Sequence, residues 1–500
     1  MKDERFRGAC NNDAVTHQSG QELIEPGDKP KAASWILLRG IGFIYCVAFF
    51  SLARQVIPLL GHDGLLPADL FLSLVKERVS FYELPTLFWN HCSDVALQAG
   101  AWVGFALSVL VLLGISNAIL MLALWLLYMS YVHIGQVFYG YGWETMTLEA
   151  GFLAIFLCPL CSLRPSTMNP FSSTIILFWY RWMLFRVMFG AGLIKLRGDE
   201  CWRDLTCLAF HYETQPIPNA LSWYLHQMPM WFHQTGCLFN HFVELIVPFF
   251  YFAPQPIRRW AGILTIMFQG LLILSGNLSW LNWLTIVIAI SCLGEATTPG
   301  LGSGRLRKGV IIALSIVLGV LSINPIRNMI SPGQRMNASF DPLHLMNTYG
   351  AFGSVGKVRH EIVLEGSNDG ATWQAYEFLG KPGDPARRPP VIAPYQSRID
   401  WQIWFAAMQQ PDQNPWLIHM IYKLLNGDLK IAGLLRHNPF PESPPQFIRA
   451  AFYGYRFTTD RKEGLWWRRE YKGLWLRPMS ADDPALLRYV ESMGWLRSEL

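Results

Sequence analysis

Residues 34–57 have the sequence SWILLRGIGFIYCVAFFSLARQVI, and this stretch decides what kind of protein the chain is. Its only charged side chains are Arg39 and Arg54, and long apolar runs separate and flank them. A helix needs about 20 mostly apolar residues to cross a hydrocarbon core of about 30 Å. The stretch is therefore predicted to span a membrane.

Similar apolar stretches recur up to about residue 325, and the same criterion gives about nine spans. They are residues 34–57, 96–115, 117–138, 145–163, 173–196, 237–255, 258–275, 278–294 and 309–325. The sequence therefore predicts an α-helical multi-pass membrane bundle followed by a soluble domain. The predicted parts are a polar cytoplasmic N-terminus at 1–32, a membrane domain at 33–325 with an outer loop at 197–236, and a soluble domain at 326–500.

The composition agrees with this division and excludes two other classes of protein. Of the 500 residues, 52% are apolar and only 15% are charged, whereas soluble domains carry about 25% charged residues. An apolar composition with a net charge of +5 excludes a disordered chain. The same small charge gives no reason to expect nucleic acid as a partner. Membrane lipids are the partners that the apolar stretches predict.

The basic residues between the predicted spans indicate an orientation. With the N-terminus in the cytoplasm, the inner segments hold most of the lysines and arginines, as the positive-inside rule requires. An odd number of spans then places residues 326–500 outside, in the periplasm or in a lumen. Two Asn-x-Ser/Thr triplets, at Asn277 and Asn337, also fall outside.

The soluble domain has the sequence pattern of an α+β fold. Residues 360–364 and 372–379 flank the turn Ser-Asn-Asp-Gly at 367–370, which predicts a β-hairpin. Residues 400–408 and 416–435 are predicted to be helical, and residues 446–458 and 465–476 are predicted to be aromatic strands. We expect a β-sandwich-like sheet here.

Charged residues inside membrane spans are costly, so each is a candidate functional group. The predicted topology brings Lys195, Glu149 and His133, together with Glu244, to one depth in the outer leaflet. These groups are candidates for a catalytic pocket in which Lys195 acts as a base. Two structural alternatives stay open: Lys195 and Glu149 form a buried ion pair, or Lys195 extends outward to the membrane surface.

The cysteines and the short motifs give little sign of other chemistry. Cys92, Cys201, Cys207 and Cys237 lie on the predicted oxidising side, and Cys201 with Cys207 is the pair nearest in sequence for a disulfide. No metal site is expected, because the Cys158–Cys161 spacing has no second pair of ligands. No nucleotide or dinucleotide fingerprint occurs in the sequence, and we expect no cofactor.

The sequence GAGLIKLRGDECWRDLTCL at residues 190–208, followed by HYETQP at 211–216, resembles the lipase maturation factor family. The likeness continues with EGSNDG at 365–370, KPGD at 381–384, DWQ at 400–402, WFAA at 404–407, NPFP at 438–441 and IRA at 448–450. It implies a multi-pass protein that helps secreted, dimeric lipases fold, assemble and become active. Such a protein resides in the endoplasmic reticulum membrane of a eukaryote, or in the inner membrane of a bacterium.

In this interpretation the protein is a chaperone-like factor rather than an enzyme. Exposed aromatic side chains of the outer domain would bind the client, since nascent apolar surfaces need apolar partners. The candidates are Trp373, Trp401, Trp404, Trp466 and Trp467.

Two other functions stay open. Residues 191–196 with Trp202 are similar to a short stretch of the vitamin K-dependent gamma-carboxylases. That likeness implies a membrane enzyme with a lipid- or quinol-facing pocket and Lys195 as its base. A transporter is the weakest alternative, because we find no inverted repeat.

Overall fold

Six long apolar helices lie in the first two thirds of the chain. The computed structural model describes residues 32–161, 174–294, 305–460 and 464–496. Within these residues, the helices long and apolar enough to cross a membrane are Ala33–Leu60, Asp94–Leu113, Thr174–Arg197, Met230–Phe252, Gln255–Ser275 and Leu306–Ile330. They agree with the predicted multi-pass helical bundle.

Three of the predicted spans form helices that are too short to cross the membrane fully. Ala118–Ile134 and Leu281–Cys292 are apolar helices of 10 to 17 residues, and Gly142–Ile155 has 14 residues. At 1.5 Å per residue, the last of these covers about 21 Å of a core of about 30 Å. The figure of about nine spans is therefore not confirmed, because three of the predicted stretches form shorter helices than expected.

The helices up to residue 330 form the membrane domain. In chain order they are α1 Ala32–Leu60, α2 Ala68–Val75, α3 Asp94–Leu113, α4 Ala118–Ile134, α5 Gly142–Ile155, α6 Thr174–Arg197, α7 Glu200–Arg203, α8 Leu208–Thr214, α9 Ala220–His226, α10 Met230–His241, α11 Gln255–Ser275, α12 Leu281–Ala289, α13 Arg305–Leu321 and α14 Ile323–Ile330. The predicted outer loop contains α7, α8, α9 and the start of α10. Helix α10 continues into a π-helical turn, Phe242–Ile246.

Helices α3 and α4 illustrate how local sequence sets the helix ends. The Ser93 side chain accepts a hydrogen bond from the Ala96 amide at the start of α3. Gly114 ends α3 with a φ of 110°, a backbone conformation that favours glycine. Asn117 then caps α4 by accepting from the Leu120 amide. The two helices are therefore joined by a tight turn.

The C-terminal region, residues 331–496, contains a four-stranded antiparallel sheet. Its strands are β1 Arg359–Ser367, β2 Gln374–Ala375, β3 Phe447–Phe457 and β4 Trp467–Met479, in the order β2-β1-β3-β4. Gly370 has a φ of 71° in the turn between β1 and β2, and the Asp369 carboxylate accepts from the Ala371 and Thr372 amides. The predicted hairpin is therefore confirmed, and it owes its turn to the Asn-Asp-Gly sequence.

The described strands form one sheet, so the predicted β-sandwich-like arrangement is wrong. Helices α15 Arg398–Ala406 and α16 Pro415–Leu425 pack against β1 and β3 and share an apolar core with Ile362 and Leu364. Because helices cover this face of the sheet, no second sheet is needed there. The predicted helix at 416–435 is two helices, since Gly427 with a φ of 74° ends α16. The remaining helices are α17 Leu429–Ala432 and α18 Pro484–Ser492.

One continuous apolar core joins the membrane domain to the C-terminal region. It includes Leu52 and Val56 of α1, Met146 of α5, and Trp401 and Trp416 of the C-terminal helices. Burial of this apolar surface favours packing of the two parts as one unit. The ends of several membrane helices therefore lie directly against residues 331–496.

Candidate functional site

Buried polar side chains lie where the membrane helices meet the C-terminal region. We call this set the polar layer; its members are Gln55, Glu144, Glu149, Arg186, Asn277, Asn347, Gln396 and Arg398, each at most 2% exposed. Gln55, near the end of α1, donates to the Gln396 carbonyl at 2.7 Å and accepts from the Arg398 amide at 3.0 Å. Such direct bonds satisfy polar groups that are removed from water.

Glu149 of α5 is the centre of one part of the polar layer. Its carboxylate forms an ion pair with Arg186 of α6. It also accepts from the Asn347 amide at 3.2 Å, the Asn347 side chain at 3.0 Å and the Tyr349 hydroxyl at 2.8 Å. The Arg186 guanidinium donates in turn to the Asn347 carbonyl. One carboxylate therefore joins two membrane helices to residues 347–349.

Glu144, more than one turn earlier on α5, is the centre of a second part. It accepts from a terminal nitrogen of Arg398 at 2.9 Å and from the Tyr128 hydroxyl of α4. The Arg398 guanidinium lies 3.4 Å from the centre of the Tyr139 ring and also donates to the Phe138 carbonyl. Both charged side chains of the pair are fully buried. The first residue of α15 is thereby anchored inside the membrane domain.

Lys195 pairs with Glu244 rather than with Glu149. Its Nζ lies 2.6 Å from both carboxylate oxygens of Glu244 and 3.3 Å from the Asn240 side-chain oxygen. The Trp202 ring covers the ammonium at 5.1 Å. Glu244 lies on the π-helical turn that follows α10, and π turns often occur at functional sites. The pair is a compact buried ion pair between α6 and this turn.

His133 lies apart from both the Glu149 ion pair and the Lys195 ion pair. Its Nε2 lies 3.1 Å from Nε2 of His344, and its Nδ1 lies 2.7 Å from the Pro85 carbonyl oxygen. In the described structure, Lys195, Glu149 and His133 therefore have separate partners and do not form the single pocket that the sequence suggested. The Glu149 carboxylate pairs with Arg186 and the Glu244 carboxylate pairs with Lys195. Each of these ion pairs holds two helical segments together.

A further charged cluster connects the sheet to the segment that follows α8. Arg359 of β1 forms an ion pair with Glu361 at 2.6 Å, and Lys381 reaches the other oxygen of Glu361 at 3.0 Å. The Arg359 guanidinium also donates to the carbonyls of Glu213, Gln215 and Pro216. This cluster therefore fixes one face of the sheet to the connection between α8 and α9.

Sequence reasoning missed Arg186 and Asn347 as partners of Glu149, and it missed Arg398 and Arg359 entirely. Glu149 lies 37 positions from Arg186, Glu144 lies 254 positions from Arg398, and the Glu213 carbonyl lies 146 positions from Arg359. The signal available in the sequence was the charge itself: Arg186 lies inside a predicted span, where an unpaired arginine would be costly.

Asn277 anchors a loop of the C-terminal region and is 1% exposed. Its side-chain nitrogen donates to the Ile217 carbonyl at 3.2 Å and the Pro390 carbonyl at 2.9 Å. Its oxygen accepts from the Ile392 and Ala393 amides at 2.8 and 3.0 Å. The Asn-x-Ser triplet at this position therefore has a packing role in the folded protein.

The five candidate client-binding tryptophans differ in exposure. Trp401, Trp466 and Trp467 are buried, so their rings fill the core of the folded protein and offer no surface. Trp373 and Trp404 are half-buried. Arg449 lies 4.1 Å over the Trp373 ring, and the Trp404 indole donates to the Thr214 carbonyl at 3.1 Å. Only these two present aromatic surface at the outside.

Cys201 and Cys207 form a disulfide, with a Cα–Cα distance of 4.7 Å. Trp202, Cys237 and Val355 surround it in a small apolar cluster. No group of three or more His, Cys, Asp or Glu side chains in the described ranges could hold a metal ion. The bridge closes the short loop that follows α7, next to the Lys195 pair.

Two family models match the chain. Residues 32–299 match the lipase maturation factor transmembrane domain, and residues 345–476 match the lipase maturation factor C-terminal domain. The chain belongs to the lipase maturation factor family. Residues 300–344 lie between the two matches, and this interval contains α13 and α14.

Relatives in this family align over almost the whole chain. Lipase maturation factor 1 of Bos taurus is 43% identical, with 92% of this chain and 91% of the relative covered. The Mus musculus protein of the same name is 44% identical, with 92% and 89% covered. Lipase maturation factor 2 of Homo sapiens is 28% identical, with 92% and 84% covered. No solved structure matches the chain.

Membership of the lipase maturation factor family agrees with the six long apolar helices. The protein is an integral membrane protein of lipase maturation factor type. The carboxylase alternative is not favoured, because these relatives are lipase maturation factors over nearly the full length. Lys195 and Glu244 both lie within the residues that match the transmembrane-domain model.

We expect this lipase maturation factor family member to lose stability in mild acid. Burial lowers the pKa of His211, His344 and His419 to about 4 each, and the Lys195 and His133 side chains add to the effect at the first two. Below about pH 6.5 these histidines bind protons in the unfolded chain but not in the folded chain. Stability is therefore complete above that pH and falls toward about pH 4, by about 1 kcal/mol per histidine at about pH 5.5.

Thermal unfolding of the purified chain between pH 7.5 and pH 5 checks this expectation. The exposed His91 offers a matched control, since His91→Gln should leave the pH dependence as it is in wild type. An unfolding midpoint that stays constant over this pH range would show that the three histidines are free to bind protons in the folded state.

Proposed function

We propose that this protein assists the folding, assembly and activation of secreted lipase-type proteins. The names of its relatives support this client class. The observation that carries the proposal is the polar layer, whose buried ion pairs fix the C-terminal region rigidly to the membrane helices. A client that folds beside the membrane would therefore meet a preorganised surface of defined orientation.

We place the C-terminal region in the lumen of the endoplasmic reticulum in a eukaryotic cell, or in the periplasm of a bacterium. The ends of α1, α6 and α11 that lie against this region carry the predicted outer loops. The opposite end of α11 carries Arg258 and Arg259, and the start of α13 carries Arg307 and Lys308. Such basic residues suit a cytoplasmic face. The three shorter helices can cross the membrane where it is locally thin. Together with the six long helices they give nine crossings, which bring the chain from a cytoplasmic N-terminus to the lumenal or periplasmic side.

Trp373 and Trp404 are the aromatic groups that we assign to client contact. Both are partly exposed in the C-terminal region, and large aromatic rings contribute much of the binding energy at protein interfaces. Trp401, Trp466 and Trp467 support the surface from within the core. The ion pair of Lys195 occupies both oxygens of Glu244, and we assign it to positioning of the helices rather than to proton transfer.

The specific activity of a secreted dimeric lipase tests this proposal. Cells that lack the protein should secrete the lipase with low activity per unit mass, and wild type should restore that activity. A secreted protein that is not a lipase serves as the control for general secretion and should be unaffected. Equal specific activity with and without the protein would contradict the client assignment.

A further inference from the structure

Two arginines of the membrane domain are buried with no carboxylate beside them among the residues that the structure describes. Arg181 of α6 and Arg258 of α11 are each 7% exposed. Helix α6 packs against the turn Ile290–Cys292, and the Cys292 carbonyl accepts from Arg258. Every hydrogen bond that either forms within the described residues goes to a backbone carbonyl. Burial of two like charges without a counter-charge is costly.

The hydrogen bonds leave part of each guanidinium available. Arg181 Nε donates to the Leu177 carbonyl at 3.1 Å. Arg258 donates through Nε to the Cys292 carbonyl at 3.3 Å and through one terminal nitrogen to the Gly294 carbonyl at 2.9 Å. Within the part of the chain that the structure describes, both terminal nitrogens of Arg181 and one of Arg258 have no acceptor. Guanidinium groups whose terminal N–H groups have no acceptor are well suited to bind phosphate oxygens.

A neighbouring amide adds a further donor without a partner. Gln255 lies three residues before Arg258 on α11 and therefore on the same side of the helix. Its side-chain nitrogen is buried, and it forms no hydrogen bond among the described residues. A buried donor of this kind is rare in native proteins unless a ligand or water completes it. This observation is independent of the two arginines, and an oxygen of a bound anion would complete the donor.

The position of these groups suits the surface of the membrane. The C-terminal ends of α6 and α11 lie against residues of the C-terminal region, so their N-terminal ends lie on the opposite side of the bundle. Arg181 extends toward that side, because its guanidinium bonds the carbonyl one turn earlier. Helix N-termini also attract negative charge. Trp260, which is 72% exposed on α11, is the kind of side chain that lies at headgroup level.

We propose that Arg181 and Arg258, aided by Gln255, bind a phosphate group at the membrane surface remote from the C-terminal region. The phosphate belongs to the headgroup of an anionic lipid or to a free phosphate ion. It supplies a negative charge that the two arginines do not have from any carboxylate in the described part of the chain. The site concerns the membrane domain alone and does not depend on the client that the protein serves.

Lipid binding to the purified full-length protein tests this site. The protein is placed in phosphatidylcholine nanodiscs that contain phosphatidic acid, and the retained lipids are measured by native mass spectrometry. We expect wild type to prefer phosphatidic acid, and Arg181→Gln and Arg258→Gln each to lower that preference about tenfold, as loss of a charged hydrogen bond implies. Arg197→Gln removes an exposed charge from the other end of α6 and should retain the preference.

Inorganic phosphate distinguishes the two sources of the ligand. Displacement of phosphatidic acid by inorganic phosphate would support a site for the free ion, and retention of the lipid would support a headgroup site. Unchanged lipid preference in both arginine variants would overturn the proposal. In phosphatidylcholine without phosphate, Arg181→Gln should unfold at the same or a higher temperature, because it relieves repulsion. A lower midpoint there would reveal an internal counter-charge for Arg181 and would also overturn the site.

Discussion

Replacement of Arg398 by methionine should lower the free energy of unfolding by about 3–5 kcal/mol, which is the cost of breaking a buried ion pair. Both Arg398 and Glu144 are fully buried. The substitution would leave the Glu144 carboxylate in the core with the Tyr128 hydroxyl as its remaining polar partner among the described side chains. We expect much less protein in the membrane fraction and a lower unfolding midpoint.

A double variant shows whether the loss of stability comes from the uncompensated Glu144 charge or from other contacts of Arg398. Arg398→Met combined with Glu144→Gln removes both charges, and most of the lost stability should return, because no charge is left uncompensated. The measurement is the unfolding midpoint of wild type, both single variants and the double variant. If Arg398→Met alone were as stable as wild type, the anchoring role of this ion pair would be refuted.

Replacement of Glu149 by leucine should have an effect of similar size, also about 3–5 kcal/mol. The change strands the Arg186 charge and removes the acceptor of Asn347 and Tyr349. Protein level, unfolding midpoint and lipase activation should fall together. This differs from the catalytic role suggested by the sequence, in which activity would be lost while the protein level stayed normal.

The exposed pair of Glu470 and Lys472, 2.7 Å apart on β4, provides a matched control. Exposed ion pairs contribute little to stability, about 0–1 kcal/mol. Glu470→Gln should therefore leave the level and the midpoint close to wild type. A normal protein level for Glu149→Leu, with activity lost, would support direct participation of Glu149 in chemistry and contradict the structural role.

The sequence predicted those features that depend on neighbouring residues. The turn at Asn368, Asp369 and Gly370 needs positive φ at its glycine, and this local demand located the β1–β2 hairpin. The strands β3 and β4 and the helix α15 follow from local pattern in the same way. The apolar length of residues 34–57 likewise predicted α1. Each of these inferences uses a period or a turn that a short stretch of chain contains.

The polar layer could not be predicted in this way. Helical spacing shows that Lys195 and Arg181 share a side of α6, but it does not show which helix packs there. The sequence therefore left Glu149 open as the partner of Lys195, whereas Glu244 holds that place and Arg186 pairs with Glu149. The exposure of the tryptophans could not be predicted from the sequence either. Two adjacent tryptophans such as Trp466 and Trp467 could form a surface patch, but residues of β3 and α9 bury them.

The Lys195–Glu244 pair allows the most direct test of whether this protein acts as a scaffold or through a lysine base. Lys195→Gln combined with Glu244→Gln removes both charges and retains polar groups that can hydrogen-bond each other. Lys195→Gln alone leaves the Glu244 carboxylate buried without its cation and should lower the protein level.

The decisive measurement is the specific activity, per unit mass, of a secreted lipase in cells that lack this protein and express either wild type or the double variant at matched levels. A scaffold needs the helices in place but not the lysine base, so we predict that both proteins restore lipase activity. Loss of activation in the double variant at a normal protein level would contradict the scaffold account and would establish Lys195 as a chemical participant.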